Sequence, residues 1–344
     1  MTAAPRAISA RPSARSTMTA ITQDAYGPPS VLETRQVAVP DIDATQVLVR
    51  VHAAGVNIAD WAIMNGLPYI ARPVYGLRKP KNPVRGTDVA GTVEAVGSAV
   101  TRFKPGDQVF GWADGSFAAY AAAPEDKVAL KPSTVSFEQA AAVPLAGLVA
   151  LQAVRDHGKV GPGMKVLVNG ASGGIGSFAV QIAKALGADV TGVTSTRNVE
   201  LVRSIGADHV IDYSQENFTQ GERTYDFILD NVSNHSMADL RRVLTSAGML
   251  IPNGGRFDNR WFASGGLVVR AKLMDRFSDH QLRTFLVAIT AEDLDELREL
   301  IEAGKVTPVM DRVYPLAEAA AAMRHVGDGH ARGKVAISVI GGAA

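Results

Sequence analysis

The part of this chain that most constrains its fold is residues 164–213, which read MKVLVNGASGGIGSFAVQIAKALGADVTGVTSTRNVELVRSIGADHVIDY. An apolar run at 166–168 predicts a strand, and a second run at 190–193 predicts another. The residues between them predict an amphipathic helix. Its apolar face is formed by Phe178, Ile182, Ala183 and Leu186. The pattern is typical of a strand–helix–strand unit in a parallel sheet.

The turn between the first strand and the helix reads Gly170-x-x-Gly173-x-x-Gly176, with Gly174 as an extra glycine. Glycine has no β-carbon, so the backbone can turn sharply here and approach a pyrophosphate. The helix that follows offers free N–H groups and the positive end of its dipole to that anion. We interpret the turn as a dinucleotide site, the alternative being a purely structural glycine turn. The candidate contacts are Ser172, Gly173, Gly174 and Ile175.

Composition excludes several classes of function. The 344 residues suffice for about two domains. No window approaches the ~20 uninterrupted apolar residues of a membrane span, so we expect no membrane partner. The 35 basic and 34 acidic residues nearly cancel, so we expect no nucleic-acid partner. The absence of cysteine excludes disulfides, thiol catalysis and cysteine-liganded zinc.

The first 17 residues contain three arginines and no acid. A targeting peptide has a similar composition, but this segment is short and has no helical apolar stripe. We interpret it as a disordered tail or as an over-long start before Met18, and we expect a cytoplasmic protein.

The predicted secondary structure differs between three parts of the chain. Short strands separated by Gly/Pro turns from residue 18 to 130 predict a compact, partly closed barrel. Strands alternate with helices from about 165 to 277, which predicts a parallel sheet covered by helices on both faces. The remaining residues return to a mixed pattern.

The order of these predicted segments along the chain resembles that of the medium-chain dehydrogenase/reductase superfamily. The matching landmarks are AAGVNIADW (53–61), RGTDVAGTVEAVG (85–97), FKPGDQVFG (103–111), the NGASGGIG turn and GKVAISV (333–339). The resemblance implies an α/β fold in which a Rossmann doubly wound parallel sheet is inserted in a GroES-like, partly open β-barrel catalytic domain. We divide the chain accordingly into a tail (1–17), the first part of the catalytic domain (18–135), the Rossmann domain (136–277) and a return to the catalytic domain (278–344). The site would lie in the cleft between the domains.

Zinc alcohol dehydrogenases of that superfamily carry cysteine where this chain has Asn57, and a His-Glu pair where it has Thr87-Asp88. The replacements resemble the zinc-independent quinone-oxidoreductase branch. Catalytic zinc needs three good protein ligands, and the seven histidines show no paired ligand spacing. We therefore predict that no metal is bound.

The segment ELVRSIGADHVIDY (200–213) resembles the subgroup of reticulon-interacting oxidoreductases and zinc-free alcohol dehydrogenase-like proteins. This likeness implies an NADPH-dependent reductase of quinones or of other electron-poor alkenes. It also implies a homodimer joined at the Rossmann sheets. The apolar run at 266–269 is a candidate edge for that contact, although it could equally be buried in one chain.

The second strand of the central unit ends without the acid that an NAD site presents to the ribose hydroxyls. Arg197 can instead form charge-assisted bonds to a 2′-phosphate, and Ser195 can donate one more. Tyr213 resembles the family tyrosine that reaches the same phosphate. We therefore predict NADPH, the alternative being that Arg197 merely begins the next helix in solvent.

Further cofactor contacts are expected where later strands end. Asn231 is a candidate for the ribose beside the nicotinamide, or else a turn asparagine. Gly254 and Gly255 would allow close backbone approach to the nicotinamide. Lys334 matches a family lysine near the cofactor, although a lysine that begins a strand in solvent is the plainer interpretation.

The catalytic candidates are Asn57 and Asp60. Asn57 could donate to a substrate carbonyl or to the nicotinamide ribose, or it could cap the helix that follows. We expect Asp60 to hold the loop by local hydrogen bonds rather than to act as an acid. Quinone reductases of this branch often have a tyrosine where this chain has Ala62, which weakens the expectation of a quinone and removes the obvious proton donor.

Three functions therefore stay open for this small-molecule site. The first is reduction of a quinone or another electron-poor alkene or carbonyl by NADPH. The second is zinc-free, NADP-dependent oxidation of alcohols. The third is a non-catalytic NADPH-binding scaffold.

Overall fold

The computed structural model describes residues 17–254, 281–329 and 331–339. Within those ranges no helix is both long enough and apolar enough to cross a membrane. Four features named from the sequence lie outside the described residues: Gly255, the apolar run at 266–269, residues 1–16 of the tail and the return point at 277–278.

Six parallel strands form one sheet in the order β10-β9-β8-β11-β12-β13. Their bounds are β8 Lys165–Asn169, β9 Asp189–Thr194, β10 His209–Asp212, β11 Tyr225–Asp230, β12 Leu244–Pro252 and β13 Gln281–Leu282. This is the doubly wound Rossmann order, in which the chain reverses direction across the sheet between β8 and β11. Because β13 pairs with β12, the sheet continues past the predicted boundary at 277.

Helices precede, connect and follow these strands. Their bounds are α3 Phe137–Ala141, α4 Pro144–Leu151, α5 Gly174–Ala185, α6 Val199–Ser204, α7 Met237–Arg242 and α8 Ala291–Glu302. Of these, α5, α6 and α7 pack against the sheet, as the sequence predicts, whereas α4 packs on α5 and α8, and α3 packs on the second sheet of the protein. The largest buried apolar cluster includes Leu148 of α4, Phe178 of α5, Val166 of β8 and Phe227 of β11. Burial of such large side chains drives α5 onto the sheet and α4 onto α5.

The second sheet contains seven strands, in the order β14-β15-β3-β4-β5-β7 with β6 on β3. Their bounds are β3 Gln46–Val56, β4 Asp88–Val96, β5 Gln108–Trp112, β6 Tyr120–Pro124, β7 Val128–Leu130, β14 Met310–Pro315 and β15 Lys334–Ser338. The hairpin of β1 (Thr17–Thr22) and β2 (Glu33–Ala38) and the helices α1 (Ile58–Met64), α2 (Arg72–Tyr75) and α9 (Ala319–Gly327) complete the fold.

One strand pairing decides where the site forms. β15, from the end of the chain, pairs antiparallel with the last residues of β3, from its beginning. The barrel domain is therefore built from both ends of the chain, as the resemblance implies, and the α/β sheet is inserted between them. The ends of β3 and the start of β15 then lie where the two domains meet.

Candidate active site

The glycine turn has the geometry that its sequence predicts. Gly170 has a φ of +79°, a conformation that favours glycine. A β-carbon on Gly176 would lie 2.1 Å from the Gly170 carbonyl oxygen, so α5 approaches the turn too closely for any other residue there. Gly173 occupies the N-cap position of the 12-residue α5 and has no side chain to satisfy its first turn. The turn therefore leaves the positive end of α5 available to an anion.

Substitutions of Gly173 and Gly176 are expected to distinguish a structural role of the turn from a role in binding the dinucleotide. A β-carbon on Gly173 would meet only the Gly170 carbonyl oxygen, at 3.3 Å. We expect Gly176→Ala to lower the free energy of unfolding by at least ~1 kcal/mol, because backbone must move. We expect Gly173→Ala to leave stability nearly unchanged but to weaken dinucleotide binding. Thermal unfolding and a cofactor titration of both variants check this, with Gly161→Ala, which has open space around it, as the control.

If Gly173→Ala bound the cofactor as tightly as the unaltered protein, the turn would be structural only. The alternative interpretation of the glycines would then be correct.

Hydrogen bonds connect the hydroxyl and amide side chains next to the glycine turn. The Ser172 hydroxyl accepts hydrogen bonds from the Thr194 hydroxyl at 2.8 Å and from the Asn198 amide at 3.0 Å. Asn198 also donates to the Ser195 hydroxyl at 3.4 Å. Ser172 and Ser195, both candidates from sequence, are thus linked through Asn198, which the sequence did not single out.

The predicted 2′-phosphate residues share one edge of the sheet. Arg197 is exposed in a 3₁₀ turn after β9, and Tyr213, 59% exposed, follows β10. The Tyr213 backbone N–H donates to the Thr194 carbonyl at 3.0 Å, which holds the two strand ends together. Asp212 brings one carboxylate to this edge, and hydrogen bonds from Thr196 and Ser214 lower its pKa.

Asn231 lies at the reversal point of the sheet, beside the glycine turn. Its backbone N–H and side-chain amide donate to the Asn169 carbonyl at 3.1 and 3.3 Å, and its side-chain oxygen accepts from Asn253 at 2.7 Å. A β-carbon on Gly254 would lie 2.7 Å from the Asn231 carbonyl carbon. Close packing against this neighbouring loop therefore explains Gly254 without any cofactor.

A buried polar cluster lies where the domains meet, and it consists of Lys334, Asn57, Asp88 and Asp60. The Lys334 ammonium donates to the side-chain oxygen of Asn57 in a short hydrogen bond. The Asn57 side-chain nitrogen donates to Asp88 at 2.9 Å, and the Asn57 backbone N–H donates to Asp60 at 2.9 Å. All four residues are at least 94% buried. Since one end of the Asn57 amide faces a cation and the other an anion, its orientation is fixed.

The expectation that Lys334 faces solvent is wrong, because this side chain is only 3% exposed. Pairing of β15 with β3 carries the start of β15 into the domain boundary, where Asn57 and the Val56 carbonyl accept its hydrogen bonds. Asn57 is at the N-cap position of α1, which agrees with the capping role. Its amide is bonded to Lys334 and Asp88, and donation to a substrate carbonyl or to the nicotinamide ribose stays a prediction.

Burial controls the charges of this cluster. It raises the pKa of Asp60 to about 7, with the neighbouring Asp88 charge acting in the same direction. It raises the pKa of Asp88 to about 6 against the opposing effect of Lys334. Burial also lowers the pKa of Lys334, while both carboxylates oppose that change. Asp60 accepts from the Thr87 hydroxyl at 3.3 Å, which agrees with the expectation that it holds the loop.

Asp88, like Asn198, is a site residue that the sequence did not single out. Beyond Asn57, it accepts the backbone N–H of Leu145 at 3.2 and 3.3 Å, at the start of α4. It therefore connects β4, α1 and α4. Its place in the RGTDVAG landmark was the available signal, but the residue was considered only as a replacement for a zinc ligand.

The cluster adjoins the glycine turn. The Gly333 backbone N–H donates to the Ser172 carbonyl at 2.8 Å, and a β-carbon on Gly174 would lie 3.1 Å from Lys334 Cδ. The start of α5 and the Lys334 side chain thus lie next to each other. An anionic dinucleotide on the turn would have Lys334 and Asn57 as neighbours.

The residues resembling zinc-ligand positions are engaged with one another: Asn57 with Asp88 and Lys334, and Thr87 with Asp60. In 17–254, 281–329 and 331–339 no group of three or more His, Asp or Glu side chains could hold a metal ion. We predict that elemental analysis finds no stoichiometric zinc and that chelation leaves activity unchanged. One tightly held zinc per chain would contradict this.

Comparisons with known proteins agree with this architecture. The profile described as "Alcohol dehydrogenase GroES-like domain" matches residues 43–133, and the one described as "Zinc-binding dehydrogenase" matches residues 205–337. The chain is 34% identical to the "NAD(P)H oxidoreductase RTN4IP1, mitochondrial" of Bos taurus, over 92% of this chain and 88% of the relative. It is 33% identical to the "Quinone-oxidoreductase QR1, chloroplastic" of Triphysaria versicolor, over 93% and 98%.

Among solved structures, a quinone oxidoreductase from Coxiella burnetii aligns with a TM-score of 0.82 and 29% identity, covering 94% of this chain and all of the other. A structure described as an NAD-dependent alcohol dehydrogenase aligns with a TM-score of 0.79 and 28% identity, again over 94% of this chain and all of the other.

Proposed function

Because this chain belongs to the medium-chain dehydrogenase/reductase superfamily, for which nicotinamide-dinucleotide binding is expected, we propose that it is a zinc-independent, NADPH-dependent reductase. In this proposal it transfers a hydride to a quinone or to another electron-poor alkene or carbonyl. The names of its relatives support the assignment of this chain as an oxidoreductase of the quinone or NAD(P)H type. The choice of NADPH and the acceptor class are our inference.

One observation carries the proposal: the glycine turn and the Lys334–Asn57 pair meet across the domain boundary. The turn fits a pyrophosphate because no side chain caps the first turn of α5, and because the Lys334 side chain packs beside Gly174. A bound nicotinamide would supply the hydride, and the protein would supply orientation and electrostatics. Lys334 and Asp88 hold the Asn57 amide in one orientation beside this site.

The preference for NADPH is supported by the edge formed by Ser195, Arg197 and Tyr213. An exposed guanidinium and two hydroxyl groups there suit a 2′-phosphate. Asp212 opposes it, but hydrogen bonds from Thr196 and Ser214 occupy that carboxylate. We infer that Arg197 decides the balance.

The proposed chemistry does not require a dedicated acid. Asp60 is buried and accepts hydrogen bonds from the Asn57 N–H and the Thr87 hydroxyl, so it positions the Asn57 loop. After hydride transfer, a quinone needs one further proton, which it can take from solvent. This favours a quinone over substrates that need a positioned proton donor.

The test is steady-state oxidation of NADPH and NADH with a panel of quinones and enones, together with NADP⁺ and a panel of alcohols in the reverse direction. We expect turnover of NADPH with at least one quinone or enone. Turnover only with alcohols would favour an alcohol dehydrogenase, which is how one of the similar solved structures is described. Tight NADPH binding without turnover would favour the scaffold.

A further inference from the structure

The segment between α1 and β4 exposes an unusual amount of apolar surface. Four of the ten exposed large apolar residues found in the described part of the chain lie within eight positions. They are Ile70 (61% exposed), Val74 (68%), Tyr75 (39%) and Leu77 (69%). Ile70, Pro73 and Leu77 line one surface depression of about 590 Å³, so their apolar surfaces are continuous. We call residues 66–81 the apolar loop.

The apolar loop has an ordered internal frame. The Arg72 guanidinium lies over the rings of Tyr69 and Tyr26, 4.4 and 4.8 Å from their centres. Arg72 Nε donates to the Gly66 carbonyl at 3.0 Å, and the Tyr26 hydroxyl donates to the Gly76 carbonyl at 2.6 Å. Contacts among Tyr26, Tyr69 and Arg72 thus stabilise the loop conformation, while the aliphatic side chains of the loop face solvent.

The charged side chains of the apolar loop and of the residues around it are all basic. No acid occurs between Asp60 and Asp88, whereas five basic residues do. Arg72 belongs to the frame and Arg85 is only 7% exposed. The remaining three, Arg78, Lys79 and Lys81, are exposed immediately after Leu77. Aliphatic side chains are therefore followed directly by basic ones, an arrangement complementary to an apolar phase bordered by anions.

We propose that the apolar loop docks on a bilayer surface that contains anionic lipid headgroups. The aliphatic side chains would enter the boundary between headgroups and acyl chains, and the three bases would contact the headgroups. A protein partner fits less well, because Leu and Val are under-represented among the residues that anchor protein interfaces. Three of the four exposed apolar side chains of the loop are aliphatic, and two of these are Val74 and Leu77. The expectation of no membrane partner rests on the length of apolar segment that a membrane span needs, and docking on the bilayer surface needs no span.

Docking would place the candidate site close to the bilayer. The apolar loop follows α1, which carries Asp60, and the chain returns from it to Thr87 and Asp88. A lipophilic acceptor dissolved in the bilayer would then have a short path to the cleft. This consequence rests on the proposed function, whereas the docking itself does not.

The test is co-sedimentation of the full chain with vesicles of phosphatidylcholine, with and without phosphatidylglycerol. We expect binding to the anionic vesicles and weakening of that binding as salt is raised. Each base near such a surface contributes roughly a fivefold factor, so R78Q/K79Q should weaken binding roughly 25-fold. The triple variant I70S/V74S/L77S should lose binding. Leu286→Ser, at a residue 97% exposed elsewhere, and Lys305→Gln are the matched controls.

Three outcomes would overturn the proposal: no binding to anionic vesicles, equal binding with and without phosphatidylglycerol, or the same loss in the control variants. Self-association through the apolar loop without vesicle binding would assign the surface to a second copy instead. Unfolding temperatures show whether each variant is folded. Sedimentation needs no turnover, so the proposed function can fail while the docking holds, and the reverse.

Discussion

Replacing Lys334 with Met is expected to lower the free energy of unfolding by about 3–5 kcal/mol at pH 8, because it removes the cation from a buried charged cluster. Asp88 would keep its bonds from Asn57 and Leu145 but would lose the compensating charge. Asp60, 5% exposed, would be affected in the same direction. Denaturant unfolding of the full chain measures the change.

A double-mutant cycle with Asp88→Asn is the control. If the two charges compensate each other, K334M/D88N should be more stable than the sum of the single changes predicts, by roughly 1 kcal/mol or more. Simple additivity would contradict the electrostatic interpretation and leave only a packing role for Lys334.

The pH dependence of the Lys334→Met effect has a definite sign. Burial raises the pKa of Asp60 to about 7 and of Asp88 to about 6, so the folded protein holds protons that the unfolded chain has released. The stability that these carboxyls contribute is present below their unfolded pKa and is lost as the pH rises through about 6–7. Lys334 opposes both shifts, so its removal raises both pKa values further. The difference between variant and unaltered protein should therefore shrink between pH 8 and pH 5, and a constant difference would count against this account.

Replacing Arg197 with Ala is expected to weaken NADPH binding about tenfold to a hundredfold and to leave NADH binding almost unchanged. Charge-assisted hydrogen bonds to a 2′-phosphate contribute on the order of 1.5–3 kcal/mol, and NADH has no such phosphate. The measurement is the ratio of the dissociation constants of the two cofactors.

Ser195→Asp in the same background extends this test. It should repel the phosphate and offer an acceptor to a free ribose hydroxyl, so the preference should move further toward NADH. If the unaltered protein prefers NADH, or if Arg197→Ala weakens both cofactors equally, the interpretation of residues 193–197 is wrong.

The Rossmann unit could be predicted because its signals are local. The apolar runs, the helical face and the glycines of residues 164–213 each report on neighbours a few positions away. Gly176 is a clear case, because the close approach of α5 to Gly170 leaves room for no side chain.

The polar cluster could not be predicted in this way. Its members come from positions 57, 60, 88 and 334, and only the pairing of β15 with β3 brings the last one to the others. A lysine at the start of a strand is ordinarily solvated, so the sequence favoured the wrong environment for Lys334. Asp88 acts by accepting bonds from Asn57 and Leu145, and neither partner is visible in its local pattern.

We propose that the glycine turn and the Lys334–Asn57 pair hold a nicotinamide in one orientation for hydride transfer. NADPH deuterated on one or the other face of its reactive carbon tests this directly, with the mass of the NADP⁺ product as the readout. We predict that, with an accepted quinone or enone, one labelled form yields NADP⁺ without deuterium and the other yields NADP⁺ that retains it. Loss of deuterium from both forms, or no NADP⁺ with any acceptor, would contradict the account.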